Sequence, residues 1–460
     1  MSDNRKILGR WDSVAISIGI VLGVGIFRVP SEVAVHLSSG VWILFAWVLG
    51  GIFSLLGALC YAELVALHPQ SGGDYVYLKE AYGKVVGFLF AWSELLITRT
   101  GSVAAIALMF GEYLCSLFGM DRGLIRVAAL AVIAVLTATN LFGLKQSSRL
   151  QNLLTVVKVS ALVLIIVACA TSSRPPVTVF DLSELSHPTL NVLSAVCLAL
   201  VPIMWTYGGW RDNVFLAGET KDAATSVPFA LMMTCGIITV IYSAMNFMYL
   251  TFIPVDTMKT SPLIAAALLK IVFGEIGAKL FEGLIIVYAL GVINGLLLTG
   301  SFLAKAMSQD NRLFQYLEKT DERTGTPLRA IVFNGIWSCL LVLTGTFEML
   351  LFFTGLWIWI FFAMVAIAII VFRRRGYEVS DRFQMIGYPV IPIVVATVSL
   401  LLAWSTINYM PKESLWGTLL VLSGLPFFYF QNRMIKPATG TQENSSLPGT
   451  TDQIGHEDPK

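Results

Sequence analysis

Two long apolar segments of this chain are each interrupted by glycine near the middle. A Gly-x-Gly sequence at 23–25 divides residues 11–36, and a Gly-Gly pair at 208–209 divides residues 190–217. Each segment is otherwise long enough to cross a bilayer as one helix. Glycine lets the backbone leave the helix, which at membrane depth is tolerated only where it lines a cavity or is buried in protein. Paired broken helices are typical of a secondary transporter's substrate site, so the pattern predicts a carrier of a small solute.

The composition supports a protein that lies in a membrane. Only 13% of the residues are charged and the mean hydropathy is +0.76, whereas a soluble protein has about 25% charged residues. The chain is therefore predicted to be an all-α integral membrane protein with about 12 transmembrane helices. Their approximate positions are 11–36, 41–67, 85–118, 124–143, 149–171, 190–217, 227–254, 277–308, 329–347, 349–373, 387–408 and 415–433.

Lysine and arginine are distributed unequally between the two sides of these spans. With a cytoplasmic N-terminus, the inner segments hold about 20 of them and the outer loops about five, an asymmetry that sets orientation. We therefore expect a multi-pass protein of the cell (inner or plasma) membrane with both termini in the cytoplasm. Residues 1–10 are predicted to be a cytoplasmic tail. Residues 434–460 are polar and aromatic-free, and we expect a disordered tail there.

The sequence shows no recognisable motif of an enzyme active site. The six cysteines have no metal-ligand spacing and lie in or beside apolar runs, as small core residues do. No nucleophile–base arrangement and no phosphate-binding glycine loop of the ATPase type is recognisable. We predict no catalytic residue, no metal and no cofactor. The predicted partners are a small-molecule substrate and the lipid bilayer, with no nucleic acid.

The first break suits an anion. Its free amides lie at the positive end of the half-helix that follows, where a carboxylate is stabilised. The alternative is a kinked helix packed tightly against its neighbours, and the matching second break argues against it.

Several motifs carry a family resemblance. Tyr-Ala-Glu-Leu at 61–64 and Pro-x-Ser-Gly-Gly-x-Tyr at 69–75 follow the Gly-x-Gly-Ile-Phe break. Together they resemble the amino acid–polyamine–organocation (APC) superfamily. Tyr-Gly-Gly-Trp at 207–210, followed by Glu219, resembles its L-type amino acid transporter branch. The resemblance covers the chain to about residue 430.

The resemblance implies a LeuT-type fold for the transporter domain, residues 11–433. In this fold two inverted repeats of five helices, about 11–171 and 190–373, have discontinuous helices 1 and 6. The helices at about 387–433 would be peripheral.

The resemblance also implies that an amino acid binds between the two breaks, which agrees with the preference of helix N-termini for anions and C-termini for cations. The substrate carboxylate would meet the amides of Val24, Gly25 and Ile26. Its ammonium would meet carbonyls of both breaks, and Gly208 would belong to the same site. The carbonyl groups predicted to accept hydrogen bonds from the ammonium are those of Ile20, Val21, Trp205 and Tyr207.

Lys158 is a lone charge in an otherwise apolar fifth span, and such residues mark function by default. The alternative is a lysine whose ammonium reaches an interface. In related transporters a lysine of this span occupies the place of a sodium ion. The resemblance therefore implies that Lys158 replaces Na⁺ and ties the first break to the fifth span. Burial favours the neutral form of a lysine, so a proton carrier and a fixed cation are both open roles for Lys158.

Trp205 stands where the L-type branch usually has a phenylalanine that closes over the substrate. Arginine–agmatine antiporters, which are related, have tryptophan there. The resemblance thus implies a gating role for Trp205, with a packing tryptophan as the alternative.

Other charged residues lie close to the breaks. Arg28 and Arg211 are expected in a solvated vestibule. Glu94 could contact a cationic substrate, although an ion pair within the protein, with Arg99 nearby, is favoured. Glu63, in the second span, is interpreted as a structural or gating residue. The roles of Glu94, Arg99 and Arg211 stay open.

The leading interpretation is a sodium-independent carrier of neutral L-amino acids, working by alternating access as an exchanger or with proton coupling. A cationic amino acid or polyamine carrier is the alternative, and an amino acid sensor that has lost transport is an alternative of another class. The loop after the third span lacks the cysteine by which animal L-type proteins join a glycoprotein subunit. No disulfide-linked subunit is therefore expected, unless Cys115 substitutes.

Overall fold

The computed structural model describes residues 6–172, 175–177, 180, 182–186, 189–261, 263–321, 324–344, 355–377 and 382–433. Within these residues the secondary structure is helical apart from a single backbone bridge between Leu8 and Thr220. The helices are α1 (Arg10–Val21), α2 (Gly25–His36), α3 (Gly40–Leu67), α4 (Asp74–Tyr82), α5 (Lys84–Phe118), α6 (Ile125–Leu141), α7 (Leu144–Ala170), α8 (Leu190–Tyr207), α9 (Ala223–Phe252), α10 (Val255–Thr260), α11 (Ile264–Phe273), α12 (Glu275–Asp310), α13 (Leu328–Thr344), α14 (Gly355–Arg374), α15 (Val390–Tyr409), α16 (Pro411–Leu422) and α17 (Gly424–Arg433).

Most predicted spans are long apolar helices. In the described part of the chain, nine helices are long and apolar enough to cross a membrane, and the bent pair α1 and α2 makes a tenth. The predicted ninth span begins as α13, whose described residues end at Thr344; residues 345–354 lie outside the description. The predicted twelfth span is divided at Ser423 into α16 and α17. The predicted tail at 434–460 also lies outside the described residues.

The broken helices lie at the centre of the bundle. Helix α1 packs against α9, α7 and α12, while α2 packs against α8 and the short helices α10 and α11. The two longest helices, α5 and α12, pack against each other and hold the break region from one side. Helices α14 and α15 pack together and close another side.

The two breaks have different forms. At the first, residues 22–24 separate α1 from α2, whose axes differ by 49°. At the second, α8 ends at Tyr207 and the chain continues as a 3-10 helix, Trp210–Glu219. Gly209 between them has a φ of +103°, a conformation that glycine adopts without the Cβ clash of other residues. Both predicted interruptions are therefore present.

Candidate substrate site

The two breaks lie in direct contact because their glycines allow close approach. A Cβ added to Gly25 would lie 2.9 Å from the Thr206 side chain in α8. A Cβ added to Gly209 would lie 2.9 Å from Ile20 Cγ2 and 3.2 Å from the Val21 amide nitrogen. The glycines that predict the breaks thus also bring the two irregular segments together.

The first break presents unpaired backbone donors. Within the described part of the chain, the amides of Val24, Gly25 and Ile26 make no hydrogen bond. They lie at the N-terminus of α2, where the first amides of a helix have no intrahelical acceptor and the helix dipole is positive. This arrangement can bind a carboxylate.

The carbonyls predicted to meet an ammonium group fall into two pairs. Those of Ile20 and Tyr207 accept no hydrogen bond from another described residue. The Val21 carbonyl already accepts from the Gly23 amide (2.6 Å) and the Tyr242 hydroxyl (2.8 Å). The Trp205 carbonyl accepts from the Gly208 amide (3.0 Å). Because a carbonyl has two lone pairs, Val21 has no acceptor capacity left, whereas Trp205 keeps some.

Tyr242 of α9 joins the two breaks. Its buried hydroxyl donates to the Val21 carbonyl at 2.8 Å, and the Thr206 carbonyl is 3.4 Å away. The sequence does not single out Tyr242, since a tyrosine in an apolar helix resembles ordinary core packing. The only available signal was a polar hydroxyl at membrane depth, which needs a partner.

A cavity of about 540 Å³ lies between the breaks. Its wall comes from α1, α2, α5, α8, α12, α14 and α15. It extends along α2 as far as His36, and its surface is largely apolar, with charged groups on α2, on α5 and in the 3-10 helix after the second break. This size and lining are typical of a site for a small molecule.

Most predicted substrate residues lie on the cavity wall. Among the residues that the structure describes, Ile26 and Tyr207 do not line it, and the Tyr207 hydroxyl instead donates to the Trp47 carbonyl at 3.0 Å. The substrate contacts themselves stay predictions. The predicted residues that line the wall are Ile20, Val21, Val24, Gly25, Trp205 and Gly208.

Trp205 lines the cavity and is partly exposed. It is 39% exposed although it belongs to α8, which packs against α2, α3 and α15. An indole in this position can stack on a bound side chain. The gating role remains a prediction.

Lys158 of α7 is completely buried against the first break. Its ammonium donates to the Gly19 carbonyl (2.8 Å) and the Leu22 carbonyl (3.1 Å), and it lies 5.2 Å from the ring centroid of Tyr288. The tie between α7 and the first break is therefore present. The interfacial alternative is wrong, because the side chain is not exposed at all.

Five charged side chains form what we call the charge cluster, at the α5 side of the cavity: Asp74, Glu94, Arg99, Arg211 and Asp212. Arg99 donates to Asp212 at 3.1 Å and to the Thr299 hydroxyl at 2.6 Å, and it lies 3.5 Å from Glu94. Glu94 begins a π-helical turn, Glu94–Thr98, inside α5. The favoured ion pair between Glu94 and Arg99 is thus present.

The expected solvated position of Arg211 is wrong. Its side chain is only 14% exposed and forms a close ion pair with Asp74, which is completely buried and also accepts from the Tyr61 hydroxyl at 3.0 Å. Burial raises the pKa of the Asp74 carboxyl, and Arg211 opposes that shift. Asp74 lies in the quoted motif at 69–75, but its partner 137 residues away cannot be read from one sequence.

Arg28 and Glu63 behave as the sequence indicates. Arg28 lines the cavity, keeps 39% of its side chain exposed and lies 3.6 Å from Glu32. Glu63 accepts two hydrogen bonds from Arg373 at 2.8 Å and one from the Met385 amide at 3.0 Å. Glu63 therefore joins α3 to the end of α14, which is a structural role.

The end of the bundle opposite His36 is closed by several contacts. The amides of Ile7 and Leu8 donate to the Glu219 carbonyl (both 3.1 Å), and the Lys221 amide donates to the Leu8 carbonyl (2.9 Å). Beside them, Lys305 lies 3.7 Å from Glu219. The Tyr75 hydroxyl donates to Asp310 at 2.8 Å. The structure is therefore closed on the side of the N-terminus.

Comparison with known proteins identifies the family. The profile of a family described as amino acid permease matches residues 8–425. This chain belongs to the amino acid permease family. Its membership in the APC superfamily, the all-helical membrane architecture and the LeuT-type fold class are thereby confirmed.

Three relatives illustrate the similarity. The b(0,+)-type amino acid transporter 1 of Mus musculus is 29% identical over 435 residues, 92% of this chain and 88% of that protein. The serine/threonine exchanger SteT of Bacillus subtilis (strain 168) is 29% identical over 431 residues, 92% and 96% of the two chains. The large neutral amino acids transporter small subunit 2 of Mus musculus is 27% identical over 443 residues, 92% and 81%. All three are amino acid transporters by name.

Proposed function

We propose that this permease is a sodium-independent carrier of neutral L-amino acids that works by alternating access. The observation that carries the proposal is the cavity between the two breaks, with free amides at Val24 and Gly25 on its wall and at Ile26, the next residue of α2. The names of the relatives support the substrate class, since they include a serine/threonine exchanger and a transporter of large neutral amino acids.

In our proposal the substrate carboxylate binds the free amides of the first break, where the helix dipole favours a negative charge. The ammonium group binds the carbonyls of Ile20 and Trp205, which belong to residues of the cavity wall; the Tyr207 carbonyl also has free acceptor capacity, but Tyr207 does not line the cavity. The Val21 carbonyl is left out, because its two lone pairs are occupied. The substrate side chain then extends toward α5, α8, α12 and α14.

Sodium independence rests on Lys158. Its ammonium occupies the space between α7 and the carbonyls of Gly19 and Leu22, where oxygen ligands for a cation would otherwise be free. Oxygen donors of this kind are the ligands of Na⁺ in transporters with broken helices. We propose that Lys158 takes the place of the ion.

A cationic substrate is less well supported by the charge cluster. Such a substrate needs a carboxylate free to bind it, but Glu94 lies 3.5 Å from Arg99 and 3.9 Å from Arg211. Both guanidinium groups already pair with this carboxylate, so an incoming amine would have to compete with them for it. We therefore favour a neutral substrate over a cationic amino acid or a polyamine.

We propose that the protein transports rather than catalyses or senses, that it lies in the cell membrane, and that both termini are cytoplasmic. We also propose that it works without a disulfide-linked glycoprotein subunit. Cys115, the candidate for such a bond, is buried in α5 with 2% exposure, so its thiol is not accessible to a second chain.

The experiment is uptake of labelled alanine, leucine and arginine into liposomes that hold the purified protein, in sodium-free buffer. The vesicles are either empty or preloaded with unlabelled amino acid. We expect preloading to accelerate uptake of a neutral label. Preferred uptake of arginine would replace the substrate class with the cationic alternative, and a requirement for sodium would refute the role of Lys158.

A further inference from the structure

We propose that the charge cluster takes up one proton together with the substrate, and that Glu94 carries it. The proposal rests on the transport function proposed above and adds the ion that accompanies the substrate. It assigns coupling to a group of carboxylates beside the cavity, not to Lys158.

The positive and negative charges of the cluster do not balance. The cluster has three carboxylates and two guanidinium groups, so its charge is −1 when all five are ionised. All five side chains are 14% exposed or less. Burying a net charge in a dry interior is costly, and groups usually gain or lose a proton instead.

In the part of the chain that the structure describes, no further cation lies close enough to balance this charge. Tyr61 of α3 and Thr299 of α12 reach the cluster with hydroxyl groups only. Lys305, also on α12, is 3.7 Å from Glu219. Lys158 donates to backbone carbonyls of the first break. Among the described residues that face the cluster, Arg99 and Arg211 are therefore its cations.

Of the three carboxylates in the charge cluster, Glu94 is the one whose ionised form is least stabilised by hydrogen bonds. Asp212 accepts a hydrogen bond from Arg99 at 3.1 Å, and Asp74 forms a close pair with Arg211. The distances from Glu94 to the two guanidinium groups are 3.5 and 3.9 Å, which are ion-pair contacts without hydrogen-bond geometry. Glu94 also lines the cavity, from which a proton can reach it.

Coupling between the proton and the substrate follows from the removal of water when the cavity closes. When the cavity is open, water screens the negative charge, and Glu94 can be ionised. When the cavity closes around a substrate, water leaves and the neutral cluster is favoured. A proton bound to a Glu94 carboxyl oxygen on one side of the membrane is released from it on the other, and no other bond is formed or broken.

The key variant is Glu94→Gln, which gives the cluster two carboxylates and two guanidinium groups and so a fixed charge of zero. We expect it to exchange labelled for unlabelled amino acid within about threefold of the wild-type rate. It should not accumulate substrate in empty vesicles with an acidic exterior. With the membrane potential clamped and a pH gradient of one unit, the wild type should accumulate substrate up to about tenfold. One pH unit is a tenfold ratio of proton concentrations, and one proton enters with each substrate.

Two further variants make the test specific. Glu94→Asp keeps an acid in place and should retain accumulation driven by the pH gradient. Glu275→Gln removes an exposed glutamate that lies 2.8 Å from Lys270 and is 83% exposed, and it should behave like the wild type. A pH-sensitive dye inside the vesicles reports proton entry during uptake.

A second measurement covers the case in which Glu94→Gln exchanges nothing. Substrate affinity of the detergent-solubilised wild type is measured between about pH 5.5 and 8; if Glu94 binds a proton with the substrate, affinity rises as pH falls, by up to about tenfold per unit. The rise should be absent in Glu94→Gln. A pH-independent wild-type affinity, or wild-type uptake without proton entry, overturns the proton proposal alone. Absence of amino acid transport and binding by the wild type overturns the proposed function instead.

Discussion

Lys158 has an unusual environment for a charged side chain, since within the described part of the chain its ammonium donates to two backbone carbonyls, those of Gly19 and Leu22, and to no carboxylate. Replacing it by methionine keeps the length of the side chain but removes both hydrogen bonds. We expect Lys158→Met to reduce the exchange rate at least about tenfold, because buried carbonyls left without donors cost about 1–3 kcal/mol each and the first break loses its tie to α7.

The measurement is exchange in sodium-free liposomes, with thermal unfolding as a check that the variant folds. Lys158→Gln, which keeps an N–H donor, should retain more activity than Lys158→Met. Equal rates for Lys158→Met and the wild type would contradict the role proposed for this residue.

Trp205 is the second residue whose role can be tested directly. We expect Trp205→Ala to weaken substrate affinity about two- to tenfold, as stacking contributes about 0.5–1.5 kcal/mol. Membrane abundance should not change. Trp205→Phe should keep most of the affinity, and Trp404→Ala, which removes a 66% exposed tryptophan of α15, is the matched control. An unaltered affinity in Trp205→Ala would leave packing as its only role.

At this scale the sequence predicts single residues better than pairs. Lys158 and Trp205 stand out because one is charged and the other aromatic at informative positions. Asp74 and Arg211 are 137 residues apart, and nothing local indicates that they meet. The expectation of a solvated Arg211 failed for this reason.

Among the elements, the break after α8 depends on one backbone conformation. Gly209 has a φ of +103°, and an added Cβ would crowd Ile20 and the Val21 amide of the first break. We expect Gly209→Ala to cost about 1–2 kcal/mol of local strain and to push the two breaks apart. The exchange rate should fall at least about fivefold, in line with that free energy.

The matched control for this change is Gly236→Ala in the interior of α9. Nothing lies within 4 Å of a Cβ added there, and alanine is the better helix former. Both variants are compared by exchange rate and by thermal unfolding. A fully active Gly209→Ala protein would mean that the contact between the breaks is not needed for transport.

The form that each break takes could not be predicted from the sequence. Glycine indicates that a helix stops, but whether the chain resumes as an α-helix, as after the first break, or as a 3-10 helix, as after the second, depends on distant packing. The division of the predicted twelfth span at Ser423 is a similar case. Helix propensity alone does not determine such boundaries.

For the whole molecule, the position of the cavity and the predicted orientation together determine from which side of the membrane the cavity is accessible. The cavity extends along α2 away from the N-terminus, so a cytoplasmic N-terminus makes it open to the outside. We expect a cysteine replacing Val35, a 59% exposed residue of the cavity wall, to react with a membrane-impermeant maleimide in intact cells.

The control is a cysteine replacing Tyr316, which is 69% exposed and lies in the 3-10 helix that follows the C-terminal end of α12. It should react only after the cells are permeabilised. The background carries Cys197→Ser, because Cys197 is the exposed cysteine among the described residues. The reverse pattern of labelling would invert the orientation inferred from lysine and arginine.

The backbone bridge at Leu8 has a practical consequence for anyone who expresses this protein. Three hydrogen bonds connect Ile7 and Leu8 to Glu219 and Lys221, and each contributes about 0.5–1.5 kcal/mol. Opening the molecule toward the N-terminal side must break these three hydrogen bonds. We expect a purification tag or fluorescent fusion attached just before Ile7 to change the balance between the closed and open states, so affinity handles belong at the other end of the chain.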